Sequence, residues 1–211
     1  MADTALTIDH LLSAYASGFF PMAESRDAED LHWYYPEQRG ILPLDKFHIP
    51  HSLQKFMRHS TYRITMDTAF EHVIRACADV RTKKREDSWI NDSIIALYTE
   101  LFQRGYAHSV ECWDQKKLVG GLYGVSIGGA FFGESMFSLA PNASKLTLVH
   151  LVERLKEAGY QLLDTQYVND HLVQFGVQEI IRKDYLELLA KALNASPNPS
   201  TRLRTASDIK S

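Results

Sequence analysis

One glycine-rich and aromatic stretch constrains the fold of this chain more than any other segment. It runs from Val119 to Ser138 as VGGLYGVSIGGAFFGESMFS and contains six glycines, four aromatic residues and one acidic residue, Glu134. The pair Gly128 and Gly129 is typical of a two-residue hairpin turn, because glycine tolerates the positive φ that such turns require. The stretch therefore predicts a β-hairpin.

The other glycines of the stretch lie inside the two predicted strands, at Gly120, Gly121, Gly124 and Gly133. A glycine inside a strand costs conformational entropy and offers no side chain for packing. These positions indicate that another backbone or a ligand approaches the hairpin closely. A bulged, crowded hairpin that binds nothing is the alternative interpretation.

Length and composition restrict the class of protein. The 211 residues suffice for one domain with a real core, and 45% hydrophobic with 23% charged residues is typical of a soluble globular protein. No apolar run is long enough to span a bilayer, and the N-terminus lacks the features of a signal peptide, so we expect a cytoplasmic protein. A net charge of -3 restricts any contact with nucleic acid to a local basic patch.

Cysteines and histidines do not form a ligand pattern in the sequence. Cys77 and Cys112 have neither metal-ligand spacing nor a disulfide framework, so buried free thiols are expected. His48 and His51 form an isolated pair across Pro50, and no HExxH pattern occurs. We predict no metal and no cofactor.

Residues 1–60 are predicted to form a small N-terminal lobe. A helix over 7–16 has Thr7 as its N-cap and Gly18 just past its end. An aromatic connector broken by prolines follows, and then a helix with Pro50 in its first turn.

Residues 61–193 predict a mixed α/β domain, in which helices cover both faces of a run of neighbouring strands. Asp67 is the expected cap of one helix, and Asn91 or Asp92 of the next. The polar residues 194–211 predict a disordered tail. Helices are predicted at 67–80, 91–103, 143–158 and 184–193, and strands at 62–65, 107–113, 117–125, 130–137, 160–166 and 177–181.

The segment LLDTQYVNDH, at 162–171, is the second informative stretch. In a strand, its period of two would direct the side chains of Asp164 and Gln166 to the same face. A carboxylate beside an amide can orient an amine and accept its proton. An aspartate that caps the turn after the strand is the alternative interpretation.

Polar groups elsewhere could bind anions. Asn142 or Ser144 is placed to cap the predicted helix at 143–158, where Lys145 in the first turn could favour an anion, although ordinary capping explains the pattern as well. Two basic clusters could meet phosphates or could simply be solvated. Their members are Lys55, Arg58, His59 and Arg63 in the first cluster, and Arg81, Lys83, Lys84 and Arg85 in the second.

Several catalytic motifs are missing from the sequence. There is no GxxxxGK[ST] loop and no GxGxxG after a strand, so the common nucleotide-binding motifs are not present. There is also no GxSxG motif and no evident Cys/His nucleophile. Direct transfer from a preactivated donor is therefore favoured over a covalent enzyme intermediate.

Taken together, several segments resemble the bacterial leucyl/phenylalanyl-tRNA-protein transferases. The resemblance covers nearly everything from residue 7 to about residue 190, and the motifs occur in the order of the family. The segments are YASGFFPM at 15–22, WYYPEQRGILPL at 33–44, DSWI at 87–90, GYAHSVECW at 105–113, the stretch at 119–138, NASK at 142–145 and LLDTQYVNDHLVQFG at 162–176.

This resemblance implies a GNAT-like acyltransferase domain behind the small N-terminal lobe. It also implies the reaction, which moves Leu or Phe, and less readily Met, from aminoacyl-tRNA to proteins that begin with Arg or Lys. Such transfer marks the acceptor for degradation. A monomer that binds aminoacyl-tRNA and acceptor proteins, without a membrane or a cofactor, is the expected state.

The resemblance assigns roles to individual residues. Asp164 and Gln166 would be the catalytic pair that helps the acceptor amine to attack the ester carbonyl. Glu134 would lie beside the donor and the amine, and Asn169 would hold the hydrogen-bond geometry.

The donor side chain is expected in an apolar pocket. Such a pocket accepts an unbranched aliphatic chain or a flat ring and disfavours β-branched residues. Many relatives have tryptophan at the position of Met22, so a looser pocket is predicted here. Its expected walls are Met22, Trp89, Leu122, Met136 and Leu151.

Basic residues around Lys55 and Arg58 are expected to contact the backbone of the tRNA acceptor stem. His51 and His59 would belong to this surface and replace the arginine of some relatives.

Two other functions are alternatives. An acyl-CoA-dependent N-acetyltransferase usually carries a QxxGxG or RxxGxG loop before its central helix, where this chain has SLAPNASK. A non-catalytic tRNA-binding module would not require Asp164 and Gln166 beside a glycine-rich cleft.

Overall fold

The glycine-rich stretch forms the centre of the protein in the computed structural model, which describes residues 7–23, 31–79, 89–198, Ser200 and Leu203. Strands β6, Lys117–Ile127, and β7, Ala130–Ser138, pair antiparallel across the turn at Gly128 and Gly129. Gly128 has a φ of +56°, which confirms the predicted hairpin turn.

The hairpin belongs to a mixed sheet of seven strands. The other members are β3, Gln38–Ile41; β4, Arg63–Met66; β5, Ala107–Asp114; β8, Leu162–Gln166; and β9, Gln178–Ile181. Their order is β4-β5-β6-β7-β8-β3-β9, with every pair antiparallel except β7 and β8. The predicted mixed α/β architecture is confirmed.

Helices cover both faces of this sheet. Within the described residues they are α1, Ile8–Ala16; α2, His51–His59; α3, Phe70–Asp79; α4, Asp92–Gln103; α5, Ala143–Ala158; α6, Asp170–Val173; and α7, Arg182–Leu193. One hydrophobic cluster takes residues from α1, α3, α4 and α7, and the other takes residues from α2 and α5. None of these helices is long and apolar enough to cross a membrane.

Helix ends follow the sequence in most places. The side chain of Thr7 accepts from the amide of His10, and that of Asn91 accepts from the amide of Ile94, as predicted. Asp67, however, does not cap α3. Its carboxylate accepts from the amide of Ser109 at 2.9 Å, because strand β5 lies beside it.

The start of α5 also differs from the prediction. Asn142 precedes the helix with a φ of +61° and forms no side-chain cap hydrogen bond. Instead, the hydroxyl of Ser138 accepts from the amide of Ser144 at 3.3 Å. The last residue of β7 thus caps the helix that follows it.

The segment before residue 60 is divided between two sheets. Strands β1, Phe20–Ala23, and β2, Leu31–Tyr34, form a separate antiparallel pair. Strand β3 instead lies inside the large sheet, between β8 and β9. The large sheet therefore includes residues on the N-terminal side of the predicted lobe boundary at residue 60.

Part of the predicted tail packs on the body of the protein. The amide of Asn198 donates to the carbonyl of Ala158 at 2.9 Å, and Leu203 is 2% exposed within a hydrophobic cluster. Both residues belong to the segment for which the sequence predicts disorder from residue 194. Residues 204–211 lie outside the described residues.

The parallel strands β7 and β8 pair only at one end. Their register joins Ala130 to Leu162 and ends at Phe132 and Asp164, whereas β7 continues to Ser138. The two strands are connected by α5, the crossover helix that a parallel pair requires. Beyond Phe132 the strands separate, which leaves space between them.

Candidate active site

A cavity of about 670 Å³ lies where β7 and β8 separate. Its walls combine leucines from β6, β8, α5 and α6 with a few polar groups, as expected for a pocket that binds a small organic group. Among its lining residues are Gly133, Glu134 and Met136 from β7, Leu163 and Thr165 from β8, Leu148 and Leu151 from α5, and Asn169.

Glu134 is the extra residue of a β-bulge. Tyr123 pairs with Ser135 and Gly124 pairs with Gly133, so Glu134 has no partner on β6. A bulge of this kind redirects one side chain relative to the regular alternation of the strand. The bulge turns the carboxylate of Glu134 towards Tyr15 and Tyr98.

Buried donors surround the Glu134 carboxylate. The hydroxyl of Tyr15 donates to Oε1 at 2.7 Å, and the hydroxyl of Tyr98 donates to Oε2 at 3.3 Å. Burial raises the pKa of Glu134 to about 7, with the charge of Asp164 adding to the rise and the Tyr15 hydrogen bond opposing it. The carboxyl group is therefore suited to accept and return a proton near neutral pH.

Asp164 lies behind the cavity wall, with a side chain that is 0% exposed. Its Oδ1 accepts from Nε of Arg39 at 3.0 Å, and its Oδ2 accepts from Nη2 of Arg39 at 2.7 Å. The hydroxyl of Tyr185 also donates to Oδ2, at 2.7 Å. The expectation that the Asp164 carboxylate faces the crevice is wrong, because a buried arginine on the neighbouring strand pairs with it.

Gln166 ends strand β8 in a strained conformation. Its φ is +62°, a region that residues other than glycine rarely adopt. Its amide nitrogen Nε2 donates to Oε1 of Glu134 at 3.3 Å, and its backbone N–H donates to Oδ1 of Asp164 at 2.8 Å. Gln166 thus connects the buried Asp164 to Glu134 in the cavity wall.

Four of the five residues expected around the donor side chain line this cavity, namely Trp89, Leu122, Met136 and Leu151. Met22 does not. It lies on β1 with His32 as its partner and packs against the hydrophobic cluster that takes residues from α1, α3, α4 and α7. The pairing of β1 with β2 places Met22 there, which the sequence did not predict.

Asn169 lines the cavity and also begins helix α6, where its Oδ1 accepts from the amide of Leu172 at 3.0 Å. Within the described ranges, no group of three or more His, Cys, Asp or Glu side chains is placed to hold a metal ion.

Two glycines of the hairpin meet different neighbours. A Cβ at Gly120 would lie 2.6 Å from that of Ala143, so the approach predicted there is made by the start of α5. At Gly133 the nearest atom is the carbonyl oxygen of Asp164 at 3.4 Å, and the position opens onto the cavity.

Helix α2 presents its basic residues together. His51, Lys55, Arg58 and His59 are all exposed, and their spacing places them on one face. Leu53 on the opposite face is buried in the cluster that also contains cavity-lining leucines. The second basic cluster, residues 81–85, lies outside the described residues.

Sequence reasoning missed the buried partners of the site. Arg39 is the one charged residue of β3 and lies just before the apolar residues Ile41 and Leu42, which is the local signal that could have identified it. Tyr15 and Tyr98 lie on the buried faces of α1 and α4, where the helical pattern indicates packing and no polar role. Tyr185 carries no local signal, because its partner Asp164 is 21 residues away in the sequence.

Comparison with the solved structure of FemX supports the fold. The structure of FemX superposes with a TM-score of 0.50 at 11% identity, covering 89% of this chain and 72% of that chain. The structure of L-PGS from Bacillus licheniformis gives a TM-score of 0.41 at 13% identity, covering 79% of this chain and 55% of that one.

Comparison with known sequences identifies the family. The chain is 58% identical to the leucyl/phenylalanyl-tRNA--protein transferase of Paramagnetospirillum magneticum, over 89% of this chain and 90% of that protein. It is 56% identical to the enzyme of the same name from Caulobacter vibrioides, over 90% of this chain and 88% of that one. The model of the leucyl/phenylalanyl-tRNA protein transferase family matches residues 41–190, and the model of its N-terminal domain matches residues 4–37. The chain therefore belongs to the leucyl/phenylalanyl-tRNA protein transferase family.

Proposed function

We propose that this protein transfers Leu or Phe, and less readily Met, from aminoacyl-tRNA to the α-amine of proteins that begin with Arg or Lys, and so marks them for degradation. Family membership supports the reaction class. The observation that carries the proposal within the structure is the position of Glu134. A β-bulge places this carboxyl group, whose pKa is about 7, in the wall of an apolar cavity.

The proposed chemistry is one acyl transfer. The acceptor nitrogen forms a bond to the ester carbonyl carbon, and the bond from that carbon to the ribose oxygen of the tRNA breaks. Glu134 accepts the proton that the amine loses and can return it to the departing ribose oxygen. Gln166 orients the reacting groups together with Glu134, while Asp164 acts on Gln166 from behind.

The donor side chain is proposed to occupy the apolar part of the cavity. Trp89, Leu122, Met136 and Leu151 supply flat and flexible apolar walls there. Such walls accommodate Leu, Phe and Met and disfavour branching at Cβ. Asn169, in the same lining, is proposed to fix the hydrogen-bond geometry of the bound ester.

The tRNA is proposed to lie along α2, with Lys55 and Arg58 on its phosphates and His51 and His59 beside them. The support is the shared exposed face of these four residues. Because phosphate contacts carry little base information, this surface would position the tRNA without reading its sequence.

The fold is proposed to be GNAT-like, with a small N-terminal lobe and a monomeric state. Its support is the parallel β7–β8 pair with crossover helix α5, together with the likeness to FemX. We place the end of the lobe near residue 37 instead of residue 60, since β3 belongs to the large sheet. Because the proposed donor is aminoacyl-tRNA, we place the reaction in the cytoplasm.

One assay tests the function. Purified protein is incubated with tRNAs that carry radiolabelled Leu, Phe, Met or Val, and with acceptor peptides that differ only in the first residue. We expect transfer of Leu and Phe to peptides that begin with Arg or Lys, and no transfer of Val. Binding of tRNA without transfer would contradict the proposal and favour a tRNA-binding module. Modification from acetyl-CoA alone would favour an acetyltransferase.

A further inference from the structure

Arg39 is a buried arginine, and no step of the proposed reaction requires it to contact a substrate. It is 1% exposed, and its guanidinium lies between two aromatic rings, 4.4 Å from the ring centre of Phe20 and 4.6 Å from that of Tyr185. Its Nη1 donates to the carbonyl of Gly18 at 3.0 Å, and its other edge faces Asp164. Arg39 is thus held from three sides before any substrate binds.

The Asp164 carboxylate is saturated with donors. Oδ1 accepts from Nε of Arg39 and from the backbone N–H of Gln166, and Oδ2 accepts from Nη2 of Arg39 and from the hydroxyl of Tyr185. A carboxylate has about four lone-pair sites, so none is left for an amine or for its proton. Asp164 therefore acts through its neighbours, as a fixed anion.

The neighbour that needs this anion is Gln166. The backbone of Gln166 is left-handed, and a hydrogen bond of 2.7 Å from the N–H of Tyr167 to the carbonyl of Thr165 closes a tight turn around it. A backbone of this kind persists only when its surroundings over-determine it. The hydrogen bond to Oδ1 of Asp164 is one such restraint.

Strand β3 provides the space for that turn as well as the arginine. A Cβ at Gly40 would lie 2.6 Å from the backbone carbon of Tyr167, so only glycine allows β3 to pair here. Arg39 and Gly40 are adjacent. Gly40 leaves room for the turn at Gln166, and Arg39 binds the Asp164 carboxylate that restrains this turn. Two neighbouring positions of one strand therefore serve the same structural element.

We propose that Arg39 is the positioning residue of this active site, which acts through Asp164 to hold the turn at Gln166 and thereby directs the Gln166 amide onto Glu134. This inference rests on the proposed transferase function. It makes Tyr185 a second, weaker support, because its hydroxyl contributes one hydrogen bond to the same carboxylate. Arg39 and Tyr185 affect turnover without contacting the donor pocket.

The proposal is tested by removing the Arg39 side chain, measuring the loss of kcat, and adding free guanidinium to restore it. Arg39→Ala is expected to lower kcat by about 100-fold, the effect of a small misplacement of reacting groups, while the KM for Phe-tRNA changes little. Added guanidinium, at concentrations well below those that unfold the protein, is expected to restore part of the lost kcat. Arg182→Ala is the matched control, since Arg182 also contacts an aromatic ring and a carboxylate but does not touch Asp164. Added guanidinium should not raise the kcat of the Arg182→Ala variant.

Tyr185→Phe keeps the test decisive if Arg39→Ala does not fold. This variant retains the ring over Arg39 and removes only the hydroxyl, so we expect kcat to fall by about tenfold, as for one hydrogen bond to a charged group, with KM unchanged. A wild-type kcat in Tyr185→Phe would overturn the proposal. So would a folded Arg39→Ala variant that keeps the wild-type kcat, or one whose lost kcat guanidinium does not restore. Absence of transfer in the wild-type protein would instead contradict the transferase function itself.

Discussion

The hydroxyl of Tyr15 donates a hydrogen bond of 2.7 Å to Oε1 of Glu134, and so joins the first helix to the bulge of β7 across 119 positions of sequence. Tyr98 contacts the same carboxylate from α4. Burial, and then the charge of Glu134, raise the pKa of both phenols well above their usual value. The two hydroxyls therefore remain protonated donors, and the environment of Glu134 is built from three distant parts of the chain.

Removal of the Tyr15 hydroxyl is expected to shift the pH dependence of transfer. The hydrogen bond from Tyr15 lowers the pKa of Glu134, so Tyr15→Phe should raise that pKa and move the acidic limb of the pH–rate profile to higher pH. Single-turnover rates measured across neutral pH test this. Tyr160→Phe is a matched control, because its hydroxyl contacts Ser126 away from Glu134. An unchanged profile in Tyr15→Phe would contradict the assigned role of Glu134.

The free energy of unfolding should depend on pH through the same carboxyl group, that of Glu134. Burial raises the pKa of Glu134 from 4.5 to about 7, so the folded state binds more protons than the unfolded state in that window. The contribution of Glu134 to stability is therefore greatest below pH 4.5 and is lost as pH rises to about 7. Relative to wild type, Glu134→Gln should be more stable at high pH than at low pH. Denaturant unfolding at several pH values measures this difference, and a constant difference would contradict it.

Substitution of Asp164 is expected to destabilise the fold as well as to stop transfer. Asp164→Ala leaves the buried guanidinium of Arg39 without a counter-ion, which typically costs about 3–5 kcal/mol of unfolding free energy. The double variant Asp164→Leu, Arg39→Met should regain much of that stability but not the activity, because the turn at Gln166 loses its restraint. Denaturant unfolding and transfer assays on the same samples separate the two effects. Full stability in Asp164→Ala would show that the ion pair does not support the fold.

Charge reversal on α2 should weaken tRNA binding in a salt-dependent way. Lys55→Glu with Arg58→Glu is expected to raise the KM for aminoacyl-tRNA. The slope of log K for tRNA binding against log salt concentration should become shallower by roughly 0.7–0.9 for each lost phosphate contact. Lys183→Glu with Lys191→Glu is the matched control, because both lysines are exposed on α7, a helix that packs against the other hydrophobic cluster from α2. Equal effects of the two pairs would contradict a specific tRNA surface on α2.

The wall of the cavity should determine donor preference. Met136→Ala enlarges the pocket and is expected to shift the ratio of kcat/KM for Phe-tRNA over Leu-tRNA by about tenfold in favour of Phe. Met22→Trp should leave that ratio unchanged, because Met22 lies on β1 outside the lining. The opposite outcome, a shift with Met22→Trp alone, would place the donor side chain elsewhere.

The sequence by itself predicted most of the secondary structure. The helix from Ala143 to Ala158 with Gly159 after it, and the hairpin closed by Gly128 and Gly129, were correct to within a residue or two. Hydrophobic period, caps and turn glycines depend on neighbours only a few residues away, so a linear pattern suffices to recognise them. Cap assignments failed at Asp67, where a strand distant in sequence competes for the side chain.

The sequence also determined the family, the position of Glu134 in a crowded hairpin and the pairing of an acid with an amide at 164 and 166. Only the tertiary structure decided how these groups are used. The contact of Arg39 with Asp164 and the left-handed turn at Gln166 depend on the pairing of β3 with β8, two strands far apart in the chain. The bulge that turns Glu134 is a register shift within the hairpin that the turn glycines alone do not specify. Which distant strands pair, and in which register, depends on how their buried faces pack together, and a pattern of a few residues does not specify that.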